Sequence, residues 1–151
     1  MEPNQFRLVL ALDNKETEKQ VTQLLTKFYD VKTASDAEEV YHIVHHFHPD
    51  LAIMDYSLKN INPIELYEGI EFLHPETTYV LCAYHDNMEV AKRIWNKRAI
   101  DFIRKPIDTE HLLDDIYKIT RHIIDVRKIE TLEVKIKELE AEIRKLKGEV
   151  K

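Results

Sequence analysis

Pro49-Asp50-Leu51-Ala52-Ile53-Met54-Asp55 runs through an unbroken apolar stretch into a single acid. An apolar run this short, bounded by turn formers, reads as a strand buried on both faces. The pattern recurs along the chain. Residues 6–12 are followed by Asp13, and residues 79–83 include Cys82. Residues 99–103 lead to Lys105, and residues 31–34 form one further short strand. Helical spacing fills the intervals. Val21, Leu24, Leu25 and Phe28 mark a helix over residues 17–28. Val40, Ile43, Val44 and Phe47 mark another, capped by Ser35 with Glu38 and stopped near His48-Pro49. Pro63 suits the first turn of a third helix, and residues 88–96 make a fourth. Strands alternating with helices predict βαβ units and a parallel sheet.

Ligand crevices of such sheets lie outside the carboxyl ends of the strands. Asp13, Asp55 and Lys105 each stand at or just past such an end, so two carboxylates and an ammonium converge on one cleft. That combination can hold a divalent cation and accept a phosphoryl group. The chain has 151 residues, room for one ordinary domain and an appendage. Its formal net charge of −6 argues against nucleic acid as a direct partner, because phosphate backbones need a basic face. Cys82 is the single cysteine, which rules out an intrachain disulfide and fits a reducing compartment. No apolar run approaches the roughly 18 residues of a membrane span, and the first residues carry no signal-peptide pattern. A cytoplasmic, non-membrane protein is expected. Two glycines, Gly69 and Gly148, cannot build a glycine-rich phosphate loop.

Five β/α units marked by Asp13, Asp55, Cys82 and Lys105 resemble the receiver domain of two-component response regulators over residues 5–122. Residues 49–55 and the stretch Ala99-Ile100-Asp101-Phe102-Ile103-Arg104-Lys105-Pro106 carry most of the likeness. The resemblance implies a flavodoxin-like fold with a five-stranded parallel sheet of order 2-1-3-4-5. It implies that Asp55 is the phosphoacceptor for a histidine kinase and that the domain is a signalling module rather than an enzyme. Asp13, Asp55 and the main-chain carbonyl of Ser57 would ligate Mg²⁺, held weakly, and Lys105 would neutralise the phosphoryl oxygens. Several positions depart from the family pattern. Leu12 stands where a second acid is usual, which weakens the metal site. Cys82 replaces a hydroxyl residue, and a thiol is a poor donor. Lys59 and Pro63 stand near the usual proline and glycine of the acceptor loop, Arg98 replaces a common glycine, and the aromatic switch position is Phe102. These departures leave an alternative, a phosphorylation-independent pseudo-receiver that serves as a dimeric scaffold.

Other features read more plainly. Cys82 fits an inert buried thiol better than a redox sensor. His42, His45, His46 and His48 read as a solvated helix end, since no further ligand stands at metal-site spacing in sequence. Trp95 and Tyr84 read as packing or edge residues, with Tyr84 placed to roof the cleft. From Thr109 onward one helix of about 40 residues is expected, roughly 60 Å at ~1.5 Å per residue. Within it Ile129, Ile136, Ile143 and Val150 fall at heptad position a, with Leu132, Leu139 and Leu146 at d. β-Branched a with Leu d favours a parallel two-stranded coiled coil. In that pairing Lys128 faces Glu133, Lys135 faces Glu140 and Glu142 faces Lys147. Upstream, Ile116, Ile119, Ile123 and Val126 continue the seam, but the step from Val126 to Ile129 is one residue short, a stammer that overwinds the pair. The expected organisation is a receiver over residues 1–122 and a helix over 109–151 whose coiled coil, from about 123 to 150, makes a homodimer. No output domain is evident, and the downstream partner and cognate kinase are not legible.

Overall fold

The computed structural model describes residues 6–58, 62–87 and 101–148. The elements run β1 (Arg7–Ala11), α1 (Lys15–Leu25), β2 (Asp30–Thr33), α2 (Ala37–Phe47), β3 (Leu51–Asp55), α3 (Pro63–Leu73), β4 (Thr78–Ala83), β5 (Asp101–Arg104) and α4 (Thr109–Leu146). Every strand pairing is parallel, and the order is β2-β1-β3-β4-β5. This is the flavodoxin-like sheet expected from the sequence. The central strands β1, β3 and β4 are buried almost throughout, as helices on both faces of a parallel sheet require. Alternation divides their side chains between the two faces. Val9, Ala11, Ala52, Met54, Tyr79 and Leu81 form one cluster with Val40 and Val44 of α2 and Leu66, Tyr67 and Ile70 of α3. On the outermost strands β2 and β5, burial drops and polar residues enter.

Several element ends differ from expectation for local reasons. Helix α1 begins two residues early because the Asn14 side chain accepts the Thr17 N–H. Phe28 lies past its end and is exposed. The cap of α2 is Asp36 rather than Ser35. Asp36 accepts the Glu39 N–H at 2.8 Å while the Glu39 carboxylate accepts the Ser35 N–H at 2.8 Å, so the reciprocal capping sits one residue later. Helix α4 does not run to the chain end but stops at Leu146. Gly148 takes a left-handed conformation (φ 70°), the common helix stop for a residue without Cβ. The predicted helix over 88–96, with Trp95, Arg98, Ala99 and Ile100, lies outside the described residues, as do Lys59 and Val150.

The fold divides into two compact units, Met1–Tyr117 and Lys118–Lys151, with α4 continuous across the division. In the second unit Val126, Ile129, Leu132, Ile136, Leu139, Ile143 and Leu146 are all exposed. No described helix is long and apolar enough to cross a membrane.

Candidate functional site

Three strand ends of the first unit build the cleft. Asp55 closes β3 and is 1% exposed, because it stands level with Cys82 on β4 in the centre of the sheet. Asp13 lies just past β1, with its side chain 36% exposed. Lys105 follows β5, tied back by its N–H to the Ala83 carbonyl, and is 9% exposed. Its ammonium lies 2.8 and 3.1 Å from the two oxygens of Asp55 and 3.0 Å from Asp13 Oδ1. Asp55 accepts two further bonds, from the Asp13 N–H at 3.2 Å and the Ser57 N–H at 2.9 Å. One buried carboxylate is thus ringed by donors from three loops.

Charge follows that geometry. Burial pushes the Asp55 carboxyl up and neighbouring Asp13 adds to it, outweighing the Lys105 ammonium and the two amides, so it sits above the ordinary 3.8. Burial also raises Asp13, but its bonds to Asp55 and Lys105 and the Lys105 charge prevail, and it ends below 3.8. Burial opposes the charge of Lys105, yet its two carboxylate partners hold it above 10.5. The favoured state is therefore a charged ammonium shared by two acids, with Asp55 the more basic of them. Such an acid is the better nucleophile.

The structure brings together Asp13, Asp55, Ser57 and Lys105, the residues predicted to act jointly. Cys82 is adjacent in the sheet but fully buried, and burial raises its thiol far above the usual range. It is no donor of consequence. Tyr84 does cover the cleft: the Lys105 ammonium lies 4.9 Å from its ring centre, within cation–π range. Glu18 escaped the sequence reading. It is 8% exposed, and its carboxylate accepts the Leu12 N–H at 3.0 Å, pinning the strand end that carries Asp13. Its signal was present, since Glu18 lies on the same helix face as the buried Val21 and Leu25.

The response regulator receiver domain family matches this chain over residues 8–117. The chain belongs to that family. A nitrogen assimilation regulatory protein, NtrX, from Azorhizobium caulinodans is 31% identical over 109 residues, 71% of this chain and 22% of that protein. The transcriptional regulatory protein DegU of Brevibacillus brevis is 20% identical over 75% of this chain and 49% of its own length. Among solved structures, NtrX from Brucella abortus superposes with a TM-score of 0.75 at 23% identity, covering 83% of this chain and 29% of that one. The signal receiver domain of an HD domain-containing protein from Pseudomonas fluorescens gives 0.72 at 22% identity, covering 83% and 93%. The chain spans about a fifth to a half of the length of these curated relatives. Receivers generally bind Mg²⁺ at their acidic site. This receiver offers oxygen donors from Asp13 and Asp55, both held against one ammonium, and that hard donor set fits Mg²⁺. Leu12, 2% exposed, adds none.

Proposed function

We propose that this receiver takes a phosphoryl group onto Asp55 from a histidine kinase and relays the change through a parallel coiled-coil dimer. The observation that carries the first half is the buried, donor-ringed Asp55. An Asp55 oxygen attacks the phosphorus of a phosphohistidine, the P–N bond breaks, the imidazole leaves and takes up a proton, and an acyl phosphate forms. Lys105 turns its charge from the carboxylates to the phosphoryl oxygens, the fixed positive charge this transfer requires. The Ser57 N–H on Asp55 Oδ1 and the Asp13 N–H on Oδ2 fix the orientation of the carboxylate. Mg²⁺, when held by Asp13, Asp55 and the Ser57 carbonyl, would neutralise phosphoryl charge. Buried Cys82 leaves the phosphoryl group one donor short, so the adduct is expected to be short-lived.

The second half rests on the exposed 3,4-spaced seam of α4 and its charge pattern. A second copy of this helix in parallel covers the seam and sets Lys128, Lys135 and Glu142 against Glu133, Glu140 and Lys147. The reading assigns a receiver to residues 1–122 and a coil from about residue 123 to the end of the helix Thr109–Leu146. Buried Leu12, where an acid is usual, favours the scaffold alternative, and one experiment separates the two. The chain is incubated with Mg²⁺ and a small phosphodonor and read by intact mass. One added phosphoryl group, absent from Asp55→Asn, is expected. No adduct, and no binding of a phosphoryl mimic at millimolar Mg²⁺, leaves the scaffold reading.

A further inference from the structure

At the opposite end of the sheet from Asp55, where the chain enters β3 and β4, the fold assembles a second polar cluster that the sequence does not show. His48 caps the end of α2, and His74 follows the end of α3. Glu76 stands in the next turn. One donor atom from each of His48, His74 and Glu76 lies within 4.8 Å of the other two. His74 Nδ1 is 3.3 Å from Glu76 Oε1. We propose that His48, His74 and Glu76 form a binding site for a borderline divalent transition cation of the Zn²⁺ class, independent of the phosphoryl cleft.

The donor chemistry selects that class. Two imidazoles and one carboxylate are a Zn²⁺ set that leaves a fourth position open, whereas Mg²⁺ and Ca²⁺ demand oxygen. Ligand bonds of about 2.0–2.1 Å in a tetrahedron place donors about 3.3–3.4 Å apart. The His74–Glu76 pair already stands at that spacing. The Glu76 side chain is 52% exposed and His48 is exposed, so side-chain rotation alone can close the remainder. His45, whose ring centre lies 5.8 Å from that of His74, is the nearest further imidazole for the open position.

The two loops are fixed relative to each other. Buried Thr77 donates its hydroxyl to the Pro49 carbonyl at 2.8 Å, and the Thr78 N–H bonds the Asp50 carbonyl at 2.8 Å. Pro49 follows His48 and Thr77 follows Glu76, so the bonds clamp the ligand-bearing residues in place. His74 is held by its N–H on Ile70 and its carbonyl under Thr77. His48 adopts φ 52°, a left-handed helix end where glycine is usual. Among the described residues the other His-containing group, Asp108, Glu110 and His111, lies within one exposed turn, and Asp108 is already engaged by the Glu110 N–H and the His111 ring. It serves as the control.

The test titrates Co²⁺ into the full chain at millimolar Mg²⁺, which competes for Asp13 and Asp55, and follows visible d–d absorption. One saturating equivalent per chain, displaced by Zn²⁺, is expected. His74→Gln and Glu76→Gln each weaken binding by more than about a hundredfold, beyond the roughly 10–100-fold typical of outer-shell partners. His48→Asn does the same while keeping a residue that tolerates the left-handed conformation. Should His74→Gln fail to fold, the exposed His48 and Glu76 variants decide. Asp13→Asn and His111→Gln leave binding unchanged. Absence of saturable binding overturns the proposal. So does binding that survives loss of His48 and Glu76, or that disappears with His111 or Asp13.

Discussion

Removing the Lys105 ammonium exposes the energetics of the cleft. Lys105→Met keeps the stem and deletes the charge that lies 2.8 Å from Asp55 Oδ2. With an effective dielectric of about 20, two charges ~3 Å apart attract by about 5–6 kcal/mol. Orphaning one member of a buried pair typically costs about 3–5 kcal/mol. Asp55 has an escape, which sets a ceiling. It can fold protonated, at a cost of about 1.36 kcal/mol for each pH unit above its ordinary 3.8. The ceiling is therefore about 4.4 kcal/mol at pH 7 and about 1.6 kcal/mol at pH 5. The sign follows: the folded-state value lies above 3.8, so the folded chain binds the proton more tightly and the variant loses stability as pH rises. Adding Asp55→Asn removes the orphaned charge, and the double variant is expected to recover to within about 1 kcal/mol of wild type. Urea unfolding at fixed chain concentration, followed by circular dichroism at both pH values, measures all four proteins. A Lys105→Met loss equal at pH 5 and pH 7, or unrelieved by Asp55→Asn, refutes this account of the site.

In the wild type, carboxyl-carbon NMR should find Asp55 titrating above 3.8 and Asp13 below it. Asp55 thus costs stability as pH rises through its folded value, while the Asp13 contribution is lost only as pH falls through its own. Reversed assignments would contradict the burial argument. Leu139→Glu removes about 2 kcal/mol of apolar burial from each helix of the proposed dimer, about 4 in all, and buries charge besides. Sedimentation should show dimer affinity reduced by roughly a thousandfold or more, and unchanged affinity moves the interface off the seam. Gly69→Ala should destabilise by about 1–2 kcal/mol although alanine favours helices, because its Cβ would overlap the Tyr41 hydroxyl and lie 2.9 Å from Tyr41 Cζ. A gain in thermal stability would mean that Tyr41 moves aside freely. Cys82, with no exposed surface and a raised thiol, should alkylate at least about a hundredfold more slowly in native than in unfolded protein. Comparable rates would return it to the list of reactive thiols.

The strands and the residues of the cleft were legible because both follow from short local patterns, whereas the strand order came from the family resemblance. An apolar run ending at Asp13 or Asp55 fixes a strand, and parallel pairing carries its end to the cleft. What escaped depends on geometry, local in three cases and between distant segments in the fourth. Glu18 reads as a solvated helix acid until its bond to Leu12 is seen. The capping of α2 was displaced by one residue because Ser35 and Asp36 are both competent caps, and only side-chain geometry chooses between them. The stop at Leu146 was written in Gly148 and was hidden by a heptad pattern that continues past it. His74 and Glu76 are 26 and 28 residues from His48, a separation that no metal-spacing rule spans.

The sheet has two outermost strands of four residues each, and both are defended. β2 carries Asp30, Lys32 and Thr33, and β5 carries Asp101 and Arg104. A short edge bearing charge of both signs makes a poor template for another strand, because pairing would strip water from charged side chains. Ribbon-like extension of the sheet from one chain to the next is thereby discouraged. A protein that displays an apolar stripe on a helix can afford that display only if its strands do not also recruit neighbours. Polar edges thus leave the proposed helix pairing, which closes at two copies, as the route of self-association and do not favour propagation into fibres.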